Sequence, residues 1–395
     1  MTTRGDSGPT RTEKDSMGDM RVPADALYGA STQRAVLNFP VSGLPVPASL
    51  IHAYGLLKAA CAKVNLDLGR LDAPRAKLII EAAEEVARGD HDAHFPIDVF
   101  QTGSGTSTNM NANEVIANLV CIKRSAPIGS TKDPDYLEKG GVHPNDHVNM
   151  GQSSNDTFPT AMHIAAAVEI DTNLLPAVRR MADKLESLAS DWDRVIKIGR
   201  THLQDATPIR LGQEFSGYAA QMRQAEDRLA HALDTLAELP LGGTAVGTGV
   251  NTHHQFGKRV ADELSARTNI AFIEARNHFE AQHAKDAIVE ASGHLKTLAV
   301  SLSKIASDIR LMGCGPRCGI GELKLPAVQP GSSIMPGKVN PVICESVMMV
   351  SCQVIGADAA ITMGGLGGVG SLLDLNVAMP MMAWNLQHSI AILSG

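Results

Sequence analysis

Apolar and small residues recur at alternating steps of four and three through the middle of the chain. Leu211, Phe215, Tyr218, Met222, Ala225, Leu229, Ala232 and Leu236 form one series, and Leu295, Leu298, Leu302, Ile305, Ile309 and Met312 a second. That alternation keeps one stripe of a helix against a neighbouring helix, so each series predicts a long helix packed lengthwise on others. A third helical stretch, from about Thr160 to Ser190, carries Leu175, Val178, Ala182 and Leu185; Pro176, which has no amide hydrogen, is expected to kink or break it. A fourth is expected to start after Pro341 and run through Gln353, proline being well tolerated near a helix start. Shorter helical patterns lie near Pro47–Leu66 and Ala73–Arg88, with turns at Gly89-Asp90 and Gly140-Gly141. Helices of ~30 residues would each span about 45 Å. The pattern predicts a mostly α chain: a smaller, mixed but mostly helical N-terminal domain over residues 1–145, with 1–15 disordered, and a central bundle of long helices over 146–395.

Composition narrows the function. The 395 residues suffice for two or three domains and a large core. A formal charge of -7 gives no general attraction to nucleic acid, so a small anionic substrate must be drawn by local groups. No unbroken apolar run reaches the ~18 residues of a membrane span, and the polar start, MTTRGDSGPT, has no apolar signal region. The six cysteines, Cys61, Cys121, Cys314, Cys318, Cys344 and Cys352, form no CxxC pair and are read as reduced, buried thiols of a cytoplasmic protein. Cys314 and Cys318 lack the further His or Cys ligands that would complete a metal site.

Five polar, glycine-rich segments interrupt the helices: Gln101–Asn109 with Met110–Glu114 behind it, His143–Asp156, Gly199–Asp205, Leu241–Asn251 and Gly331–Pro341. Each alone is ordinary helix-entry or turn chemistry, with Asp156 or Thr157 suited to capping a helix at Thr160. The fifth resists that reading. Within eleven residues it holds Ser332 and Ser333 between two glycines, followed by Lys338 and Asn340, the donors needed to stabilise negative charge that grows during a reaction.

Gly331-Ser-Ser-Ile-Met-Pro-Gly-Lys-Val-Asn-Pro341 resembles the signature loop of the fumarase/aspartase superfamily, and all five segments match it in order from about Asp15 onward. Within the superfamily the chain resembles class II fumarases: Thr201-His202-Leu203-Gln204-Asp205 and Pro336-Gly337-Lys338 have the fumarase form, whereas aspartases tend to carry Gln at the His202 position and Ala at the Gly337 position. The resemblance implies a tetramer cored by long helices, active sites assembled from three subunits, a small dicarboxylate as substrate and no metal or organic cofactor. It implies Ser332 as the base that removes a carbon-bound proton, and His202 as the proton donor to the departing hydroxide, paired with Glu345. It implies Ser104, Gly105, Thr106, Ser153, Ser154, Asn155, Thr201, Ser333, Lys338, Val339 and Asn340 as substrate contacts, and His143, Pro144, Asn145 and Asp146 as a second dicarboxylate site. Family members usually continue beyond Ile390-Ala-Ile-Leu-Ser-Gly395 into a small C-terminal helical domain, which this sequence does not carry. The expected reaction is reversible hydration of fumarate to L-malate. The rivals are an ammonia-lyase or other C–N lyase of the same superfamily, and a non-catalytic protein keeping the fold; a comparison of malate with aspartate separates them.

Overall fold

The computed structural model describes residues 8–395, so the disorder expected at the extreme N-terminus lies outside the described residues up to position 7. From position 10 that expectation fails. Thr10–Asp15 is a strand paired antiparallel with Gly18–Pro23. The charged residues that read as a solvated tail are partnered. Arg11 donates to Glu13 (2.8 Å), to the Pro23 carbonyl (2.8 Å) and to the Tyr28 carbonyl (2.7 Å), and Arg34 forks onto Asp15 at 2.8 and 2.9 Å.

Strands occur only as four two-stranded pairs among the described residues, and the rest of the regular structure is helical. The chain divides into two compact units interleaved along the sequence. One takes residues 1–169, 234–289 and 360–388, the other 170–233, 290–359 and 389–395. The sequence reading, with its split at 145, expected consecutive domains.

The first unit is organised around the helix Ala48–Asp67, which packs against Ala73–Ala87, Ser154–Glu169 and Phe256–Thr268. Its apolar and small residues leave no polar face, which suits a helix enclosed on all sides; Leu50, Ile51, Tyr54, Leu57 and Cys61 are all buried. Gly55 permits the closest approach, since a Cβ there would lie 2.3 Å from the Ala87 amide nitrogen. Glu114, on the helix Thr106–Lys123, is buried and gathers the amides of Gly29, Ser31 and Thr32 and the Thr32 hydroxyl, at 2.7–3.2 Å. It thereby caps the Ala30–Asn38 helix from outside, in place of a capping residue at Gly29 that has no side chain.

The second unit holds Leu175–Asp191, the hairpin Ile196–Thr201/Gln204–Arg210, and most of the helices Leu211–Leu236, Asp286–Met312 and Val342–Gly365. All eight positions of the first seam are buried; in the second, Leu295, Leu298, Ile305 and Met312 are buried while Leu302 and Ile309 are half-buried. The break near Pro176 is a turn of π-helix, Ile170–Leu174, placed where the missing proline amide would have interrupted the α ladder. The helix entered at Pro341 runs as Val342–Gly365, longer than expected, and by average hydropathy it is long and apolar enough to cross a membrane. Glu345, Ser351 and Asp358 break any unbroken apolar run within it. Asp358 is committed to Ser292 (2.8 Å) and Lys296 (2.6 Å) on the helix Asp286–Met312, the mark of a bundle helix. The cysteine reading holds only in part: none is disulfide-bonded, Cys61 and Cys121 are buried, Cys314 and Cys344 are half-buried, and Cys318 and Cys352 are exposed.

Two stability predictions follow from buried polar groups. Replacing Glu114 by Ala strands three amides and a hydroxyl, and should lower unfolding free energy by ~2–4 kcal/mol in a denaturant titration; a loss under about 0.5 kcal/mol would refute the capping role. His163 is buried and donates its Nδ1 hydrogen to the carbonyls of Leu236 and Glu238 at 3.2 and 2.9 Å, and burial pulls its proton affinity down to about 4. An unfolded imidazole takes up a proton near pH ~6.5, so between there and about 4 the unfolded chain binds the proton the native one refuses. Stability should fall through that window by up to ~3 kcal/mol as pH drops, and His163→Asn should remove that share of the difference between unfolding near neutrality and at about pH 4.5.

Candidate active site

In the first unit, two of the polar segments close around a cavity of about 380 Å³ lined by Thr106, Asn109, Asn149, Gln152, Ser153 and Ser154, with Thr244 and Ala245 of a third on its wall. The entry to the Thr106–Lys123 helix is set by Gly105, whose φ of 73° is left-handed and whose absent side chain makes room for the Phe158 ring, 1.9 Å from where a Cβ would stand. That turn aligns a row of hydroxyls: Ser104 to Thr106 at 3.0 Å, and Thr106 to Ser154 at 2.8 Å. Asn155 beside them donates to the Ala245 carbonyl at 2.8 Å. Ser104, Gly105, Thr106, Ser153, Ser154 and Asn155, expected from the sequence as substrate contacts, are therefore brought together.

Two buried charges that were not among the expected site residues hold this wall in place. Asp156 is not the simple cap the sequence suggested, because the helix already begins at Ser154. Its carboxylate accepts the amides of Ser153 (2.9 Å), Gly242 (3.1 Å) and Thr244 (2.9 Å), drawing the Leu241–Asn251 segment onto the helix start. Burial pushes its proton affinity up, while those amides and Lys58 work to keep it ionised. Lys58 sits inside the enclosed Ala48–Asp67 helix and donates to the side-chain oxygens of Asn109 (2.9 Å), Asn149 (3.0 Å) and Gln152 (2.8 Å). Burial lowers it to about 8, which leaves it an ammonium at neutral pH, each proton on one carbonyl oxygen. The only trace of this in the sequence is a lysine between Leu57 and Ala59 in a mostly apolar helical pattern; its partners lie 51, 91 and 94 residues away.

The remaining expected residues lie in the second unit. Thr201 ends one strand of the hairpin, and His202 and Leu203 form its two-residue tip, with φ of 57° and 63°. That turn suits Asn-Gly; a histidine and a leucine are held there against their backbone preference, as happens at functional positions. The loop over residues 331–341 closes on itself: the Gly331 amide donates to the Lys338 carbonyl (3.0 Å), and Asn340 returns its side-chain amide to the Gly331 carbonyl (3.2 Å). Ser332 Oγ accepts the Ile334 amide at 3.3 Å. Ser333, Lys338 and Val339 are exposed on the same loop, and Glu345 follows in the first turn of the next helix. Among the described residues no hydrogen bond or ion pair joins His202 to Glu345, so the expected pairing is not made within one chain; both side chains are exposed. At the expected second site, Pro144, Asn145 and Asp146 open a π-helical turn, Pro144–Val148. His143 Nδ1 already accepts the Asp146 amide (3.2 Å), and burial lowers its proton affinity, so it is poorly placed to act as a cation for a carboxylate.

The family model described as a lyase matches residues 18–356. A class II fumarate hydratase from Corynebacterium glutamicum is 54% identical over 385 residues, 97% of this chain and 78% of that protein. One from Mycobacterium tuberculosis is 54% identical over 397 residues, covering 100% of this chain and 80% of its own. The crystal structure of a recombinant class II fumarase from Schistosoma mansoni matches with a TM-score of 0.91 at 38% identity, over 98% of this chain and 82% of that one. The chain belongs to the class II fumarate hydratases. It is accordingly a lyase with the fumarase/aspartase fold, as the long-helix pattern and the five segments suggested.

For this hydratase, Lys58→Met should leave three buried carbonyl oxygens without a donor and loosen the cavity wall that Asn109, Asn149 and Gln152 form. The expected outcome is a loss of ~10–100-fold in kcat/KM with a lowered Tm, read by steady-state rates and thermal unfolding. An unaltered kcat/KM would show that the wall does not depend on the ammonium.

Proposed function

We propose that the chain interconverts fumarate and L-malate through a serine base and a histidine acid, in a site completed by association of its own copies. The observation that carries this reading is the joint presence, in a chain of this family, of a cavity lined by neutral hydroxyl and amide donors and a loop that presents a serine with a lysine and an asparagine. Removing the proton from the malate carbon beside a carboxylate loads further negative charge onto that carboxylate. Fixed donors stabilise that charge better than water does, because they need not reorient as it forms.

In this mechanism Ser332 Oγ takes the carbon-bound proton. Its contact with the Ile334 amide at 3.3 Å supplies a donor to the alkoxide form. His202 protonates the departing hydroxide through a bound water, and in the hydration direction takes a proton from the attacking water. Ser104, Thr106, Ser153, Ser154 and Asn155 hold one carboxylate; Thr201, Ser333, Lys338 and Asn340 hold the other, the backbone at Val339 and Gly105 allowing close approach. Such an array rejects substrates lacking a partner for each donor.

Exposure supports assembly into a homotetramer. His202 stands beside Leu203, which is 71% exposed, and Ser332 near Ile334, which is 84% exposed. Along the Val342–Gly365 helix, Ile343, Met349 and Met363 are likewise open to solvent. Apolar side chains flanking the reacting groups suit a surface that another copy covers, drying the site and bringing a Glu345 to a His202. Six unpaired cysteines suit a reducing, cytoplasmic setting.

Ultraviolet absorbance tests the reaction, since fumarate has a conjugated double bond and malate has none. Purified protein should raise absorbance with malate and not with aspartate; a rise with aspartate alone would make it an ammonia-lyase. Ser332→Ala and His202→Asn should each lower kcat by ~10²–10⁴-fold with the native mass unchanged. A near-normal rate in either variant removes that residue from the mechanism, and a monomeric mass for the active protein would overturn the shared site.

A further inference from the structure

Three groups with no part in the proposed chemistry converge in the second unit. His231 lies on the helix Leu211–Leu236, and Glu290 and His294 lie one turn apart on Asp286–Met312. One ligand atom from each lies within 4.8 Å of the others. His231 Nε2 is 3.2 Å from Glu290 Oε1, and His294 Nε2 is 4.0 Å from the same oxygen. A tetrahedral ion with bonds of about 2.0–2.1 Å sets neighbouring ligand atoms roughly 3.3 Å apart. The two observed edges straddle that value, and small side-chain rotations bring all three donors to it. The imidazoles meet edge to face with centroids 5.8 Å apart, as two rings turned toward one point would.

The second observation concerns His294 alone. Its Nε2 is closed off from solvent and has no hydrogen-bond partner. A buried ring nitrogen without a partner costs free energy unless something satisfies it, and a metal ion in the space between the three donors does so. Arg228, one turn before His231, is the charge that works against a cation here, and Glu290 is the carboxylate that offsets it.

We propose that His231, Glu290 and His294 form a binding site for a divalent transition-metal ion that clamps these two helices together. Two imidazoles with one carboxylate favour zinc, nickel, cobalt or copper over magnesium or calcium, which prefer all-oxygen surroundings. With three protein ligands, water takes the fourth position. The ion tethers bundle helices and takes no part in the hydration chemistry.

The test is calorimetric titration of the full-length protein with zinc ion after dialysis against a chelator, beside the double variant His231→Ala/His294→Ala. The unaltered protein should bind one more equivalent per chain than the double variant, and zinc should raise its Tm while leaving that of the variant unmoved. Sites elsewhere, such as the exposed Cys318 and Cys352, are present in both proteins and cancel in the comparison. Glu290→Gln should weaken the distinguishing site at least ~10-fold by losing its charge. Hydratase activity of all variants confirms that they are folded. Equal stoichiometry and affinity in the two proteins, or no zinc bound by the unaltered one, would overturn the proposal.

Discussion

Asp156 is fully buried, and its carboxylate fixes the amides of Ser153, Gly242 and Thr244, so a single segment 86 to 88 residues away is pulled onto the start of the helix. A charge in that position is tolerated only because backbone dipoles surround it on several sides and a buried ammonium, Lys58, lies within electrostatic reach. The cavity walls are thus built from neutral side chains, while the charges that position those walls stand behind them. The arrangement separates two demands. Donors facing the substrate must be numerous and rigid; the groups that make them rigid must be strong and need never touch it.

What could be read from the sequence divides along the same line. Every position of the Leu211-to-Leu236 seam is buried, because a helix seam is a local periodicity and each residue carries its own share of the signal. The hydroxyl wall was legible only through the family resemblance, since the runs that hold Ser104, Thr106, Ser153, Ser154 and Asn155 each read alone as ordinary turn chemistry. Lys58 was not, because its helix looks mostly apolar and its three acceptors arrive from two remote segments. His231, Glu290 and His294 escaped for a similar reason: the carboxylate and one imidazole share a helix at a common spacing, and only the packing of a second helix supplies the third donor. The N-terminal strand was misread because Arg11 and Asp15 resemble solvated charge until their carbonyl and guanidinium partners are known.

His202, Ser332 and Lys338 lie on short segments whose apolar neighbours face solvent. Were another copy to cover those neighbours, as proposed, the same burial that dries the site would hold the copies together. On the proposed assembly, catalysis and association would draw on one set of contacts, so that a substitution weakening one would weaken the other.

The hairpin tip carries a consequence for how such a sequence can drift. His202 and Leu203 both sit in left-handed backbone that a side chain disfavours by roughly 1–2 kcal/mol per residue. An Asn-Gly turn would fold more easily there and is a short mutational distance away. Selection for stability alone would therefore erode this turn, whereas, with His202 as the proposed acid, selection for turnover would preserve its strain. Under the proposed role the position records which of the two pressures has prevailed, and a thermostabilised descendant obtained without an activity screen should lose its histidine here early.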